Sequence, residues 1–276
     1  MRETDTEFLE GRGCPGEAIA ARIPSATEAA LHGLVENPAC TPDQVLRILQ
    51  RRPLPDPVIR RIAETHRWRR NHRIRAAVVN HPSTPTSVRL DLLGHLLWRE
   101  LAQVAANPHL PPQIRRKGEH TLLLRLAGFT LGERIALARI APRGLIGTIR
   151  TAGEPEVIGA LLENPRTTEA DALAIALRSR TPASLRCLAE HPAWSVHPAV
   201  RTALLGNPSL PVHVALRLLR GLRRREVQAI ARRAGAPGFV VLAARRLLGE
   251  CAPERAAGPE GADSPAERVD SVSGVK

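Results

Sequence analysis

The sequence predicts an all-α chain of short paired helices stacked as a solenoid, on three observations. A proline-marked motif recurs, apolar residues between the prolines follow helical spacing, and β-rich runs are nearly absent. Four segments carry the motif in full: NPACTPDQV from Asn37, HPSTPTSV from His81, NPHLPPQI from Asn107 and NPSLPVHV from Asn207. A fifth, ENPRTTEADAL from Glu163, has Thr168 in place of the second proline.

Each part of the motif has a mechanical reason. The residue before a proline is pushed out of the α region, so Asn37, His81, Asn107, Asn164 and Asn207 are expected to end helices. Pro42, Pro85, Pro111 and Pro211 suit the first turn of the next helix, where a missing N–H costs nothing. Thr41, Thr84 and Thr168 are expected N-caps, and Asp171 stands three residues beyond Thr168, as in a capping box. Proline followed three residues on by Val, Ile or Leu recurs at steps of 13, 30, 26, 31, 13, 27, 29 and 26 residues. Most steps are one unit of two helices, and 13 is half a unit. Internal periodicity of this size is a solenoid signature.

Within the units, Val45, Leu46 and Leu49 share a helix face, as do Val88, Leu92 and Leu96. Leu161 and Leu162 precede Asn164, and Leu204 and Leu205 precede Asn207, so the second helix of a unit ends apolar. Phe239-Val240-Val241 is the one β-rich run and sits in a helical stretch. Helices this short must stack on neighbours to bury a common aliphatic spine. Val45 and Val214 are therefore predicted to be buried, and Pro42 and Pro211 to matter less.

Charge divides the 276 residues. Residues 1–36 carry three bases and seven acids, residues 250–276 three bases and six acids, and 37–249 the remaining 34 bases and 14 acids, a net of +20. Of the 40 basic residues, 38 are Arg, which marks a compositional bias as well as any function. The expected organisation is an N-terminal segment 1–29, partly ordered or capping, a helical repeat body 30–250, and a disordered acidic tail 251–276. Cys14, Cys40, Cys187 and Cys251 are too scattered for a disulfide framework or a paired-thiol metal site, which fits a reducing, cytoplasmic setting. No apolar run approaches a membrane span, and the acidic, polar first residues do not read as a signal peptide.

The repeated NPxxTPxxV, followed by helices such as IRAAVVNHP (74–82) and VRTALLGNP (200–208), resembles the leucine-rich repeat variant of bacterial proteins, a relative of HEAT-type α-solenoids. The resemblance covers roughly residues 30–250 and implies a right-handed superhelix of short paired helices; it says little about activity. The unit here, mostly 26–31 residues, is shorter than the ~40–47 of HEAT or armadillo repeats. Some proteins of the variant type carry an N-terminal cysteine cluster for an iron–sulfur centre. Cys14 and Cys40 do not have that spacing, so no cofactor is carried over.

Signatures of phosphate, hydrolase and zinc chemistry (GxxxxGK[ST], GxSxG, HExxH, CxxC) do not occur. His66/His72 and His191/His197 are six apart, off the one-face spacing of a helical metal site, so no metal and no catalytic residues are expected. His81 and His191 stand where Asn stands in other units and read as helix enders. Asp91, Glu100, Glu119 and Glu133 are scattered acids on expected solvated faces. Trp98 and Trp194 fall near helix–turn junctions and read as packing residues.

Two arginine clusters remain. Residues 51–75 hold nine Arg against Asp56 and Glu64, with Trp68 interleaved among Arg67, Arg69, Arg70 and Arg73. Residues 217–246 hold nine more against Glu226, including Arg217, Arg220, Arg223, Arg224 and Arg225. On continuous helices, Arg69 and Arg73 would share a face, and so would Arg217, Arg220 and Arg224. Such rows are a solubilising surface, or they bind an acidic protein surface or nucleic acid. The expectation is a non-enzymatic interaction scaffold for an acidic partner, using Arg69, Arg70, Arg73, Arg217, Arg220, Arg223, Arg224, Arg225 and Trp68. The alternative is a nucleic-acid-binding HEAT-like protein with repair-type activity, which needs an accessible carboxylate beside a Trp in a basic groove.

Overall fold

A computed structural model describes residues 3–151 and 153–250; the stretch 251–276, read above as an acidic tail, and Cys251 within it lie outside the described residues. Nineteen helices and no strand make up the described residues. The first are α1 (Glu3–Arg12), α2 (Gly16–Arg22), α3 (Glu28–Glu36), α4 (Pro42–Ile48), α5 (Asp56–Glu64) and the four-residue α6 (His66–Arg69). Then come α7 (His72–Asn80), α8 (Thr86–Leu93), α9 (Trp98–Ala106), α10 (Pro112–Leu126), α11 (Leu131–Ile140), α12 (Arg143–Ile149) and α13 (Pro155–Leu162). The last are α14 (Glu169–Arg178), α15 (Pro182–Glu190), α16 (Pro198–Leu205), α17 (Val212–Arg220), α18 (Arg224–Ala231) and α19 (Gly238–Leu248).

Packing follows chain order. The odd-numbered helices touch in an unbroken series from α1 to α19, and the other major contacts join helices at most three apart in the chain. Aliphatic side chains from Ile19 to Val240 form one buried cluster, with Val45 and Val214 fully buried in it. α1 and α3 cross at glycines: a Cβ on Gly33 would stand 2.1 Å from the Phe8 carbonyl oxygen, and one on Gly11 2.4 Å from that of Ala30.

The Asn-Pro and His-Pro positions do end helices. Asn37, His81 and Asn107 close α3, α7 and α9 in extended backbone, while Asn164 and Asn207 follow the ends of α13 and α16 by two residues. They do more than stop a helix. Asn164 Nδ2 donates to the carbonyls of Ala138 (2.8 Å) and Ala141 (3.1 Å), at the end of α11. Asn37 does the same to Gly11 (3.0 Å) and Cys14 (2.8 Å), and Asn207 to Ala176 (2.7 Å) and Ser179 (2.9 Å). In each, Oδ1 accepts the N–H two residues on, from Arg166, Ala39 and Ser209. These three amides are buried, and each spends its donors on the helix end one unit back.

The caps differ from expectation at Thr84. Thr41 caps α4 as predicted, accepting from Gln44 N while Gln44 returns a bond to Thr41 N at 2.8 Å. Thr84 is buried, and its hydroxyl donates to Val78 O at 2.6 Å, a bond Thr167 repeats to Leu161 O. Pro85, Pro111 and Pro211 stand one residue earlier than expected, in the extended N-cap position itself. A side chain three residues after the Asn or His is drawn inward, which leaves the following proline to begin the helix.

Candidate protein-binding surface

Part of the arginine excess is engaged with backbone. Arg51 donates to the carbonyls of Ile23 (3.0 Å) and Ala26 (2.7 Å), Arg67 to those of Asn37, Pro38 and Cys40, and Arg125 to those of Gly94 (2.6 Å) and Leu96 (2.8 Å). These carbonyls lie at or just beyond helix C-termini one unit back, where orphan acceptors and the negative end of the dipole favour a cation. Arg89 is buried and rests on the carbonyls of Val79, His81 and Pro82; burial lowers its pKa. Burial likewise raises the Cys40 thiol to about 11, against the pull of Arg67.

The first predicted cluster is divided. Trp68 is 1% exposed, and its indole N–H donates to Val35 O at 2.9 Å, so its ring is core and offers no face to a base. Arg73 is exposed and pairs with Asp43 at 3.2 Å. Arg69 and Arg70 are exposed with no side-chain partner among the described residues. Arg69 and Arg73 do not share a helix, because Asn71 interrupts it: its side chain caps α7 by accepting from Arg73 N (3.0 Å) and Ile74 N (3.3 Å).

The second cluster is broken in the same way. α17 ends at Arg220 with Gly221 as its C-cap, so Arg224 belongs to the next helix and shares no face with Arg217 and Arg220. Arg217 is exposed and pairs with Glu190 at 3.0 Å. Arg220, Arg223, Arg224 and Arg225 are exposed and have no side-chain partner among the described residues. Arg223 is the N-cap of α18 and Arg224 and Arg225 open its first turn, where the helix dipole disfavours cations. Among the described residues Glu226 alone offsets them in that turn, accepting from Arg223 N at 2.7 Å.

Beside Arg220 lies a feature the sequence reading missed. α17 and α19 leave a groove of about 350 Å³ between them, lined by Val212, Leu216, Phe239, Leu242 and Leu247, with Arg220 and Arg246 among its walls and no carboxylate among the described residues. Val212 is 54% exposed, Leu242 46% and Leu247 48%. A signal was present: Val212, Leu216 and Arg220 stand at i, i+4 and i+8, a second stripe on a helix whose core stripe is Val214, Ala215, Leu218 and Leu219.

The four acids named above lie in separate local settings. Glu100 bonds Leu97 N (2.8 Å) and His72 Nδ1 (2.9 Å); Glu133 bonds Thr130, whose backbone N–H and hydroxyl, with a smaller contribution from the Trp98 side chain, hold its carboxyl below the ordinary range. Glu119 accepts from Gly144 N at 3.3 Å, and Asp91 is exposed. Trp98 packs against Phe129 with the rings tilted by 50° and lies under Arg99, and Trp194 donates to Leu162 O at 3.0 Å. Among the described residues no three of His, Cys, Asp and Glu come together as a metal site, and no helix is long and apolar enough to cross a membrane.

Comparison with protein-family models, curated proteins and solved structures finds no match to this chain.

Proposed function

We propose that the chain is a non-enzymatic interaction scaffold, a right-handed α-solenoid of the leucine-rich-variant kind, that binds an acidic protein partner through its arginine-rich end. Chain-order packing, and side-chain bonds that reach back one unit, are what a quasi-one-dimensional stack requires. The observation that carries the partner is the cation cluster at the start of α18. Arg223, Arg224 and Arg225 sit where the helix dipole costs each of them about 0.3–1 kcal/mol, and no carboxylate side chain among the described residues pairs with them. A partner carboxylate, held bidentately, reverses that cost.

The neighbouring groove favours protein over nucleic acid. A leucine-rich amphipathic helix with acidic flanks meets both the apolar floor at Leu216, Phe239 and Leu242 and the guanidinium groups of Arg220 and Arg246. A phosphodiester backbone uses only the charges, and Trp68, with its ring in the core, offers a base no stacking face.

The test is titration of the full chain with a synthetic acidic, leucine-rich amphipathic peptide and with single- and double-stranded DNA across a salt series. Saturable peptide binding that weakens at least tenfold on Arg220→Glu/Arg224→Glu and on Leu216→Ser is the expected result. DNA binding is expected to fade near physiological salt. Tighter DNA than peptide binding at physiological salt, flattened by the Arg substitutions, would overturn the reading in favour of nucleic acid.

A further inference from the structure

A second concave site lies far from the α17–α19 groove in chain position and has a different chemistry. Between the α12–α13 connection and the α14–α15 connection opens a cleft of about 290 Å³ whose lining includes Arg150, Arg178, Arg180, Ser179, Thr181 and Gly153. No carboxylate among the described residues lines it. The other clefts differ: the one between α10 and α13 is apolar with Arg134 already paired to Glu154 at 2.5 Å, and the N-terminal one includes Glu7 and Glu10.

We propose that this cleft binds the phosphoryl group of a small organic phosphomonoester. The charge count favours a dianion. Arg178 and Arg180 have no side-chain partner among the described residues, so both guanidinium forks are free. Arg150 gives one N–H to Asp171 at 3.1 Å and keeps its others. The Asp171 carboxylate does not compete for the cleft, because Arg143, Arg150 and the Thr168 hydroxyl (2.7 Å) already hold it. Burial pushes that carboxyl up, but the bonds from Arg143 and Thr168 bring it below its ordinary value, so it stays ionised and bound to them.

The hydroxyls are prepared unequally. Thr181 is the N-cap of α15 yet its side chain makes no bond to that helix, and its hydroxyl proton has no acceptor among the described residues. The backbone N–H of Thr181 donates to Ser179 Oγ at 3.3 Å, which leaves the Ser179 proton to give. Thr151, also in the lining, spends its proton on Thr148 O at 2.6 Å and offers none. Gly153 shapes the rim: its φ of +81° favours glycine, and its carbonyl is fixed by Ser184 Oγ at 3.1 Å. Two guanidinium forks and two hydroxyl donors around one concavity suit a group of charge near −2 with three acceptor oxygens. Ala174 and Ile175 form an apolar wall, which is why an ester with a hydrocarbon part is favoured over the free anion.

The experiment is calorimetric titration of the full chain with phenyl phosphate and with inorganic phosphate. Phenyl phosphate should bind saturably at one site, several-fold tighter than inorganic phosphate. Arg178→Ala/Arg180→Ala should weaken it at least tenfold with helicity and melting unchanged, and Thr181→Val by a smaller factor. Arg47→Ala/Arg116→Ala, exposed positions outside the cleft and outside both arginine clusters, should leave it unaltered. Binding that does not saturate, that falls equally in both double variants, or that is no tighter for the phenyl ester would overturn the proposal.

Discussion

The side-chain nitrogen of Asn164 lies 2.8 Å from the carbonyl oxygen of Ala138, a residue 26 positions earlier in the chain. Through that bond, and its partner to Ala141, a unit ends its own helix and closes the end of the helix on which it stacks. The amide is buried, so water cannot replace it.

Asn164→Ala leaves two buried carbonyls and the Arg166 N–H unpaired, and is expected to cost about 3 kcal/mol in denaturant unfolding. Asn164→Asp should cost more at neutral pH, since a carboxylate would face two carbonyl oxygens, and should recover partly in acid as it gains a proton. Asn107→Ala is the internal comparison. Its Oδ1 accepts from His109 N at 3.0 Å, but its Nδ2 meets the Asn80 side chain at 3.2 Å and no carbonyl of a preceding helix end, so its loss should cost about half as much. Equal losses at the two positions would show that the bonds to the preceding helix end add nothing.

At His81 the same position titrates. Nδ1 accepts from Ser83 N at 3.3 Å, which places the ring proton on Nε2, 3.4 Å from Arg51 O. A doubly protonated ring would set an N–H against the Ser83 N–H. Burial lowers the His81 pKa from 6.5; Arg51 O and Asp56 oppose this, while Arg52 and Arg89 add to it. A folded-state pKa below the unfolded one means that stability is complete above pH ~6.5 and falls as the pH drops through that value, because the unfolded chain takes up the proton first. His191 shifts in the same direction, chiefly through burial. His81→Asn supplies an acceptor for Ser83 and a donor for Arg51 at every pH. It is therefore expected to reduce the loss of stability between pH 7.5 and 5.5, measured by urea melts at several pH values. An unchanged slope would place the pH sensitivity elsewhere.

The helix-ending role of Asn37, His81 and Asn107 was legible because it depends only on the next residue being proline. The bonds from Asn37, Asn164 and Asn207 to the preceding helix end were not legible. Their acceptors are backbone carbonyls 23 to 31 residues away, and every residue has a carbonyl. Arginine failed for the same reason. Arg67 and Arg69 are two positions apart, yet Arg67 reaches the end of α3 and Arg69 reaches only solvent. Helical-face arithmetic failed where a short polar or flexible residue split the helix, at Asn71 and at Gly221. The apolar groove escaped because Val212 and Leu216 read as core on a helix that already had a core stripe.

The α1–α3 crossing predicts opposite signs for one substitution at two glycines. Gly33→Ala drives a methyl to 2.1 Å from Phe8 O and 2.8 Å from Arg12 N, both backbone atoms that move only if α1 lifts away. The expected cost is about 1–3 kcal/mol. Gly159→Ala, inside α13, meets nothing within 4 Å and should stabilise by up to about 1 kcal/mol through helix propensity. Chemical denaturation of both variants checks the pair. A neutral Gly33→Ala would mean that α1 is not held on α3 at that spacing.

Trp68 and Trp194 test whether the tryptophans serve structure or a ligand. Each sends its indole N–H to a carbonyl at the end of an earlier helix, Val35 for α3 and Leu162 for α13. Trp68 is fully buried and Trp194 is half-buried, so the two carbonyls differ in what water can offer when the donor is removed. Trp68→Phe keeps most of the packing and leaves Val35 O unpaired in the core, for an expected loss of about 1–3 kcal/mol. Trp194→Phe should cost less, because solvent can reach the vacated acceptor. Neither variant should change the salt-dependent affinity for DNA, since no stacking face is lost. A Trp68→Phe protein of wild-type stability whose DNA affinity has dropped would reverse the assignment and return that ring to a binding role.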